Sequence, residues 1–278
     1  MQKEILYFKC ITDNDLDYTY SIDKMTILFF IDISRYYAFI NDDMFARRKC
    51  GKNCYDYGDS KVEIYIYPQK GLNKQIVKGQ IVLNPNKSFK EEECIEDIRQ
   101  FLSSCKEYSI TKIDLAIDIP VDRSLVHVRK NRQSYGLYKC SKDNKTEYLG
   151  KRNHDKNVRV YSKSVESKLD FPLTRVEMTM NLKNWESDID MFPEIYILNS
   201  SEMNLSEEKL SGTFGVLVCL LYKVDEPEIY ISDLGRRFQE KVRPYMQKTL
   251  IVPSKEIVGN LIKEYEKLLS IEEIVSQY

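Results

Sequence analysis

The sequence predicts an α+β protein: a central antiparallel β-sheet with flanking helices and a more helical C-terminal part. Three observations carry this expectation. Residues 111–119, 156–163 and 173–182 each alternate apolar and polar side chains, as strands with one buried face do. The composition suits strands, with 20 tyrosines in 278 residues against 10 glycines and 8 prolines. From Trp185 onward the pattern shifts to acidic loops, carrying Asp188, Asp190, Glu194, Glu207 and Glu208, and to helical periodicities.

Taken in order, residues 25–33, 62–67 and 75–83 are rich in β-branched and aromatic residues. They are separated by turn signals at Gly58-Asp59, Pro68, Gly71 and Asn84-Pro85, so each predicts a strand. The polar segment 47–59 lies between the first two and contains Cys50 and Cys54. Residues 90–108 predict a helix: Ile95, Ile98, Phe101 and Leu102 recur at helical spacing, Ser88 suits the N-cap, and Glu91, Glu92 and Glu93 suit the positive end of the dipole. Residues 254–269 predict a second helix, with Ile257, Val258, Leu261, Ile262, Tyr265, Leu268 and Leu269 on one face. Ser270 with Glu273 forms a capping box for a short final helix. A domain boundary is expected near residue 184.

Bulk properties narrow the field. With 42% hydrophobic and 31% charged residues the chain is globular in composition and not disordered. Seven cysteines at irregular spacing, without a signal-peptide pattern, predict a reducing cytoplasm and not a disulfide framework. No apolar run approaches the roughly 18–20 residues that span a bilayer, so no membrane partner is expected. Net charge is −1, yet residues 121–163 hold twelve Lys/Arg against four Asp/Glu, an excess of eight. That stretch reads equally as a phosphate-tracking surface or as a solvated loop.

Parity supplies the site. Residues two apart on a strand share a face. Ile113, Leu115, Ile117 and Ile119 then face the core, while Asp114, Ala116 and Asp118 do not. Val158 and Val160 oppose Arg159, Tyr161 and Lys163; Val176, Met178 and Met180 oppose Arg175, Glu177 and Thr179. If the three strands pair, Asp114, Asp118, Tyr161, Lys163, Arg175 and Glu177 converge, and a one-residue slip would bury charge, so the register is set. Carboxylates suit Mg²⁺ or Mn²⁺, with water completing the coordination. A tyrosine phenolate attacks phosphorus to give a covalent phosphotyrosine, and Lys163, Arg159 or the metal would favour that phenolate. The plainer alternative is a one-sided sheet whose polar face meets water, with Tyr161 one tyrosine among 20.

Four segments resemble the replication initiation factor family of rolling-circle plasmid initiators from Gram-positive bacteria. They are Lys112-Ile-Asp-Leu-Ala-Ile-Asp118, Thr146-Glu-Tyr-Leu-Gly-Lys-Arg152, Val158-Arg-Val-Tyr-Ser-Lys163 with Glu166, and Thr174-Arg-Val-Glu-Met178. The resemblance covers roughly residues 75–182. It implies that Tyr161 is the catalytic tyrosine, with Arg159 and Lys163 beside it, and that Asp114 and Glu177, with Asp118 nearby, bind the metal. It implies a protein that nicks one strand of an origin and stays on the 5′ end while the 3′-hydroxyl primes synthesis. A homodimer and a host helicase are the implied partners besides origin DNA. Residues 1–184 would be the nicking domain and 185–278 the part for origin recognition or dimerisation.

The candidate DNA contacts are Arg129, Lys130, Arg132, Lys151, Arg152 and Arg175. The basic turn Gly150-Lys-Arg-Asn-His-Asp155 departs from the Gly-Ser-Arg type of the family. Only two histidines, His127 and His154, are present and far apart, so a carboxylate metal site is required rather than a His-x-His motif. Other readings stay open: a relaxase or initiator of a conjugative or phage element with the same chemistry, or a non-catalytic DNA-binding protein whose carboxylates hold Arg159 or Arg175. Weaker signals are Cys50-x-x-x-Cys54, which lacks the second ligand pair of a zinc site. Tyr55, Tyr57, Tyr65 and Tyr67 read as base-stacking or cross-strand packing. A basic patch at Gly235-Arg-Arg237 with Lys241 and Arg243 completes them.

Overall fold

Residues 17–32 form the longest strand because their apolar side chains repeat every second position. Tyr20 and Ile22, then Met25, Ile27, Phe29 and Ile31, are fully buried. The buried positions switch from even to odd at Asp23. The strand β2 (Asp17–Asp32) absorbs that switch as a β-bulge between Ile22 and Lys24. The computed structural model describes residues 6–12, 15–40, 46–48, 52–57, 60–67, 75–128, 135–139, 145–151, 154–198, 217, 221, 227–242 and 248–270.

Around β2 the chain builds an 11-stranded antiparallel sheet. On one side lie β6 (Ile76–Leu83), β5 (Ser60–Tyr67), β4 (Lys52–Tyr57) and β3 (Ala46–Arg48). On the other lie β7 (Glu107–Ile119), β12 (Thr174–Asn181), β11 (Val158–Ser162), β10 (Lys145–Leu149) and β9 (Tyr135–Lys139). The short β1 (Phe8–Ile11) pairs with the start of β2. The strands expected at 111–119, 156–163 and 173–182 are thus neighbours, in the order β7, β12, β11. The segment 47–59 supplies β4 and most of β3, the outermost strands on that side, and Cys54 and Tyr55 of β4 are buried.

The apolar face carries two helices, α3 (Glu92–Ser104) and the long C-terminal α8 (Lys255–Leu269). Phe101 of α3 meets Phe29 edge to face at 4.9 Å, and Arg99 Nε donates to the Leu268 carbonyl at 2.8 Å. Gly79 in β6 leaves room for Phe29; a Cβ there would lie 2.2 Å from the ring. α8 is capped by Ser254, whose Oγ accepts from Ile257 N–H at 3.4 Å. Ser88 instead ends a one-turn helix, α2 (Pro85–Ser88), with Pro85 at its first position, and Glu91 stands at the N-cap of α3. Ser88 is held away from a capping role by burial and a 2.5 Å hydrogen bond to Ser60 Oγ.

A second antiparallel sheet joins β8 (Val126–Val128), β13 (Ile195–Leu198) and β14 (Lys248–Ile251). Val126, Ile195, Ile197 and Ile251 belong to the same buried cluster as the main sheet and α8. Elements on both sides of residue 184 therefore share one core. Asp188, expected in a loop, lies fully buried on α5 (Trp185–Ile189), where it pairs with Lys156 at 3.0 Å and accepts from Asn181 N–H. A smaller cluster of Leu221, Ile231 and Val242 packs around α6 (Pro227–Ser232) and α7 (Arg236–Val242). Ser270 is the C-cap of α8, its Oγ donating to the Lys267 carbonyl at 2.9 Å, while Glu273 and most of residues 199–226 fall outside the described residues.

Candidate active site

The register of β7, β12 and β11 lays the polar face out in rows. One row reads Thr19, Asp118, Arg175, Tyr161, Thr146 from β2 to β10. The next reads Ser21, Ala116, Glu177, Arg159, Tyr148, and a third Lys24, Asp114, Thr179. Residues directly opposite across antiparallel strands share a face. The expected convergence of Asp114, Asp118, Tyr161, Arg175 and Glu177 is therefore present. The core positions agree: Ile113, Leu115, Ile117, Ile119, Val158, Val160, Val176, Met178 and Met180 are all buried.

The polar face is itself largely buried. Tyr161 is 8% exposed, Arg175 6% and Glu177 1%. The Tyr161 hydroxyl donates to Glu177 Oε1 at 2.5 Å. Arg159 Nη2 sits between two carboxylates, 3.0 Å from Asp114 Oδ2 and paired with Glu177 Oε2. Arg175 binds Asp118 through two parallel hydrogen bonds of 2.6 Å, and its Nη1 donates to Asp23. Thr179 Oγ1 donates to the other Asp114 oxygen at 2.7 Å. Ala116, opposite Glu177, is a small side chain and fully buried.

Burial sets the titration behaviour. It raises the Tyr161 pKa well above the usual phenol range, and the Glu177 carboxylate beside it adds to the rise. Burial also lifts Glu177 to about 7, against the opposing pull of Arg159. Burial works against the Arg159 charge, but Glu177 and Asp114 raise its pKa on balance. Burial likewise disfavours the Arg175 cation, and its hydrogen bonds to Asp118 together with the charges of Asp118 and Asp23 outweigh that. Glu177 Oε2 faces the Arg159 charge without accepting a well-directed hydrogen bond.

Other expected residues fall differently. β11 ends at Ser162, whose Oγ accepts from Val165 N–H and caps α4 (Lys163–Ser167). Lys163 thus starts a helix, pairs with Glu166 at 2.5 Å, and holds its Nζ 5.9 Å from the centre of the Tyr161 ring. Arg175, expected at the DNA, is committed to Asp118 and Asp23. Lys151 is exposed; Arg129, Lys130, Arg132 and Arg152 lie outside the described residues. Tyr55 is buried in the core, while Tyr65 donates to Glu63 and Tyr67 to Gln80.

As metal donors, Asp114 and Glu177 stand together, since one Arg159 nitrogen reaches both, while Asp118 is held by Arg175, which also lies 3.7 Å from Glu177. No group of three His, Cys, Asp or Glu side chains among the described residues is placed to hold a metal ion. Two carboxylates with water are a donor set that a hard divalent cation accepts. Asp23 was not foreseen. Its signal was the parity switch of apolar residues within 17–32, which marks the bulge that turns its carboxylate to Arg175.

No protein-family model matches the chain. A replication initiation protein of Staphylococcus aureus is 23% identical over 199 residues, covering 68% of this chain and 61% of the relative. The chain thus spans about three fifths of that relative's length. A solved rolling circle replication initiator protein from Geobacillus stearothermophilus aligns over 81% of this chain and 96% of its own at 13% identity, with a TM-score of 0.38. The staphylococcal relative bears out the resemblance to replication initiation proteins that the four motifs express. No helix among the described residues is long and apolar enough to cross a membrane.

Proposed function

We propose that this chain initiates rolling-circle replication by nicking one DNA strand at an origin, with Tyr161 as the nucleophile. The observation that carries the reading is the Tyr161 hydroxyl hydrogen-bonded to Glu177 on a face that also presents Arg159 and Arg175. A buried phenol holds its proton, so the proton must leave as the bond to phosphorus forms, and Glu177 Oε1 is in place to take it. The phenol oxygen attacks the scissile phosphorus, the bond to the 3′ oxygen breaks, and that oxygen takes a proton from water and leaves as a 3′-hydroxyl. The 5′ phosphate stays on Tyr161. Arg159, more exposed than Arg175, offers charge to the phosphate oxygens. Asp114 and Glu177 would hold Mg²⁺ or Mn²⁺, which when bound supplies further charge to the phosphate. Origin DNA, a second copy and a host helicase are the partners of this reading, and the cytoplasm its place. A conjugative or phage element would use the same chemistry.

The test is direct. Supercoiled origin plasmid incubated with the protein and Mn²⁺ or Mg²⁺ should become open circles carrying protein on the 5′ end. Tyr161→Phe should leave the plasmid supercoiled; if it nicks as well as the parent protein, the nucleophile lies elsewhere.

One observation favours a second reading, a DNA-binding protein without catalysis: both arginines are already neutralised by carboxylates, as a purely structural network would have them. That reading predicts no divalent-dependent gain in thermal stability and no nicking under any metal.

A further inference from the structure

A cavity of about 440 Å³ opens beside Asp114 and Arg159, the latter paired with Glu177. Its floor is the third row of the polar face and the residues beyond it, Asp114, Thr179, Lys112 and Thr26. Arg159 and Tyr148 of the second row close one side, and His154 and Asp155 of the β10–β11 turn close another. The two ends of that turn are tied together: Gly150 takes a left-handed φ of 95°, and the buried Asn157 amide donates to the Leu149 and Gly150 carbonyls. Lys112 pairs with Asp155 at 2.8 Å across the mouth, whereas Lys24 is exposed and pairs with no carboxylate among the described residues.

Three properties agree. The volume lies in the range of preformed small-molecule sites. The lining sets three side-chain cations against two carboxylates, leaving a net positive wall. The wall shared with the candidate nucleophile is an arginine beside an aromatic ring, a pairing that serves unpaired nucleotides. Successive rows lie about 7 Å apart along the strands, so the cavity floor, two rows from Tyr161, lies about 14 Å along. A DNA strand whose scissile phosphate met Tyr161 would carry a nearby nucleotide past Arg159 to this cavity.

We infer that the cavity seats a nucleotide of the nicked strand that flanks the scissile phosphate, its backbone phosphate on Lys24 and its base on Tyr148. The inference rests on the nicking reading and adds to it a defined substrate subsite, assembled from β2, β7, β10 and the β10–β11 turn. Asp114 and Arg159 lie on the boundary, serving the reacting phosphate on one side and the flanking nucleotide on the other.

The nick position, mapped on the plasmid product, defines a single-stranded oligonucleotide that spans it. Two substrate series follow, one with a single abasic site and one with a single methylphosphonate linkage, each moved through the positions flanking the nick. With the parent protein, one abasic position and one neutral linkage should each lower kcat/KM about tenfold. Tyr148→Ala should lose about as much on the intact strand and nothing more on that abasic strand. Lys24→Ala, on an exposed side chain that folding does not need, should behave the same way toward the neutral linkage. Penalties that multiply, or no sensitive flanking position, overturn the subsite while leaving the nicking reading intact. A protein that nicks no plasmid and no oligonucleotide overturns both.

Discussion

The two faces of β7, β12 and β11 are both buried, yet they are held by different forces. On one, Leu115, Ile117, Val160 and Met178 pack against the core with no polar atom to satisfy. On the other, Asp118, Arg175 and Glu177 are largely withdrawn from water with a partner for each charge, and the partly exposed Arg159 pairs with Asp114 and Glu177. The apolar face tolerates changes of shape by degrees, since each lost methylene costs its own share of burial. The charged face works as a unit. Removing one member strands another, and the cost of an unpaired buried charge exceeds what the pair itself contributes. A face of that kind adds little net stability, which is why its chemistry calls for a functional explanation.

The largest expected effect on stability comes from removing Asp118, which takes both parallel hydrogen bonds from Arg175 and leaves it Asp23 and, at 3.7 Å, Glu177. Asp118→Ala should destabilise by about 3–5 kcal/mol, and Asp118→Ala combined with Arg175→Met should recover much of that loss. Leu115→Ala on the opposite face should cost about 2–5 kcal/mol from burial and cavity alone, with no partner substitution able to restore it. Urea unfolding of the four proteins separates the two behaviours. Equal additivity on both faces would show that the charged network is not coupled.

A smaller effect, and one with a sign, comes from Glu177. Its folded pKa of about 7 lies above the ordinary 4.5, so the folded protein keeps a proton that the unfolded chain gives up. That stabilisation is complete below pH 4.5 and is lost as pH rises towards 7. In metal-free buffer Glu177→Gln should therefore gain stability relative to the parent protein across that window and show a constant difference above it. A difference that shrinks with rising pH would mean that Glu177 is held ionised by its arginines.

The sequence made the central strands legible because alternation is strict there and a slipped register would bury charge. Asp114, Tyr161, Arg175 and Glu177 could be placed together for that reason. What escaped is equally physical. Asp23 enters through a bulge, and alternation read over residues 25–33 stops short of it. Lys163 follows Ser162, whose hydroxyl caps a helix as readily as a strand carries it, so the expected strand position became a helix start. Ser88 suited an N-cap by residue type, but its burial against Ser60 depends on a strand 28 residues away. Nor does sequence spacing say that Arg175 is spent on two carboxylates; only the packed geometry does.

The central claim concerns one oxygen atom. Covalent complexes trapped from origin plasmid in the presence of Mn²⁺ can be digested with nuclease and protease and sequenced by mass spectrometry. The account predicts a single nucleotide-bearing peptide with the 5′ phosphate on Tyr161. A phosphate carried by any of the other tyrosines, or nicked circles with no covalent peptide, would contradict it.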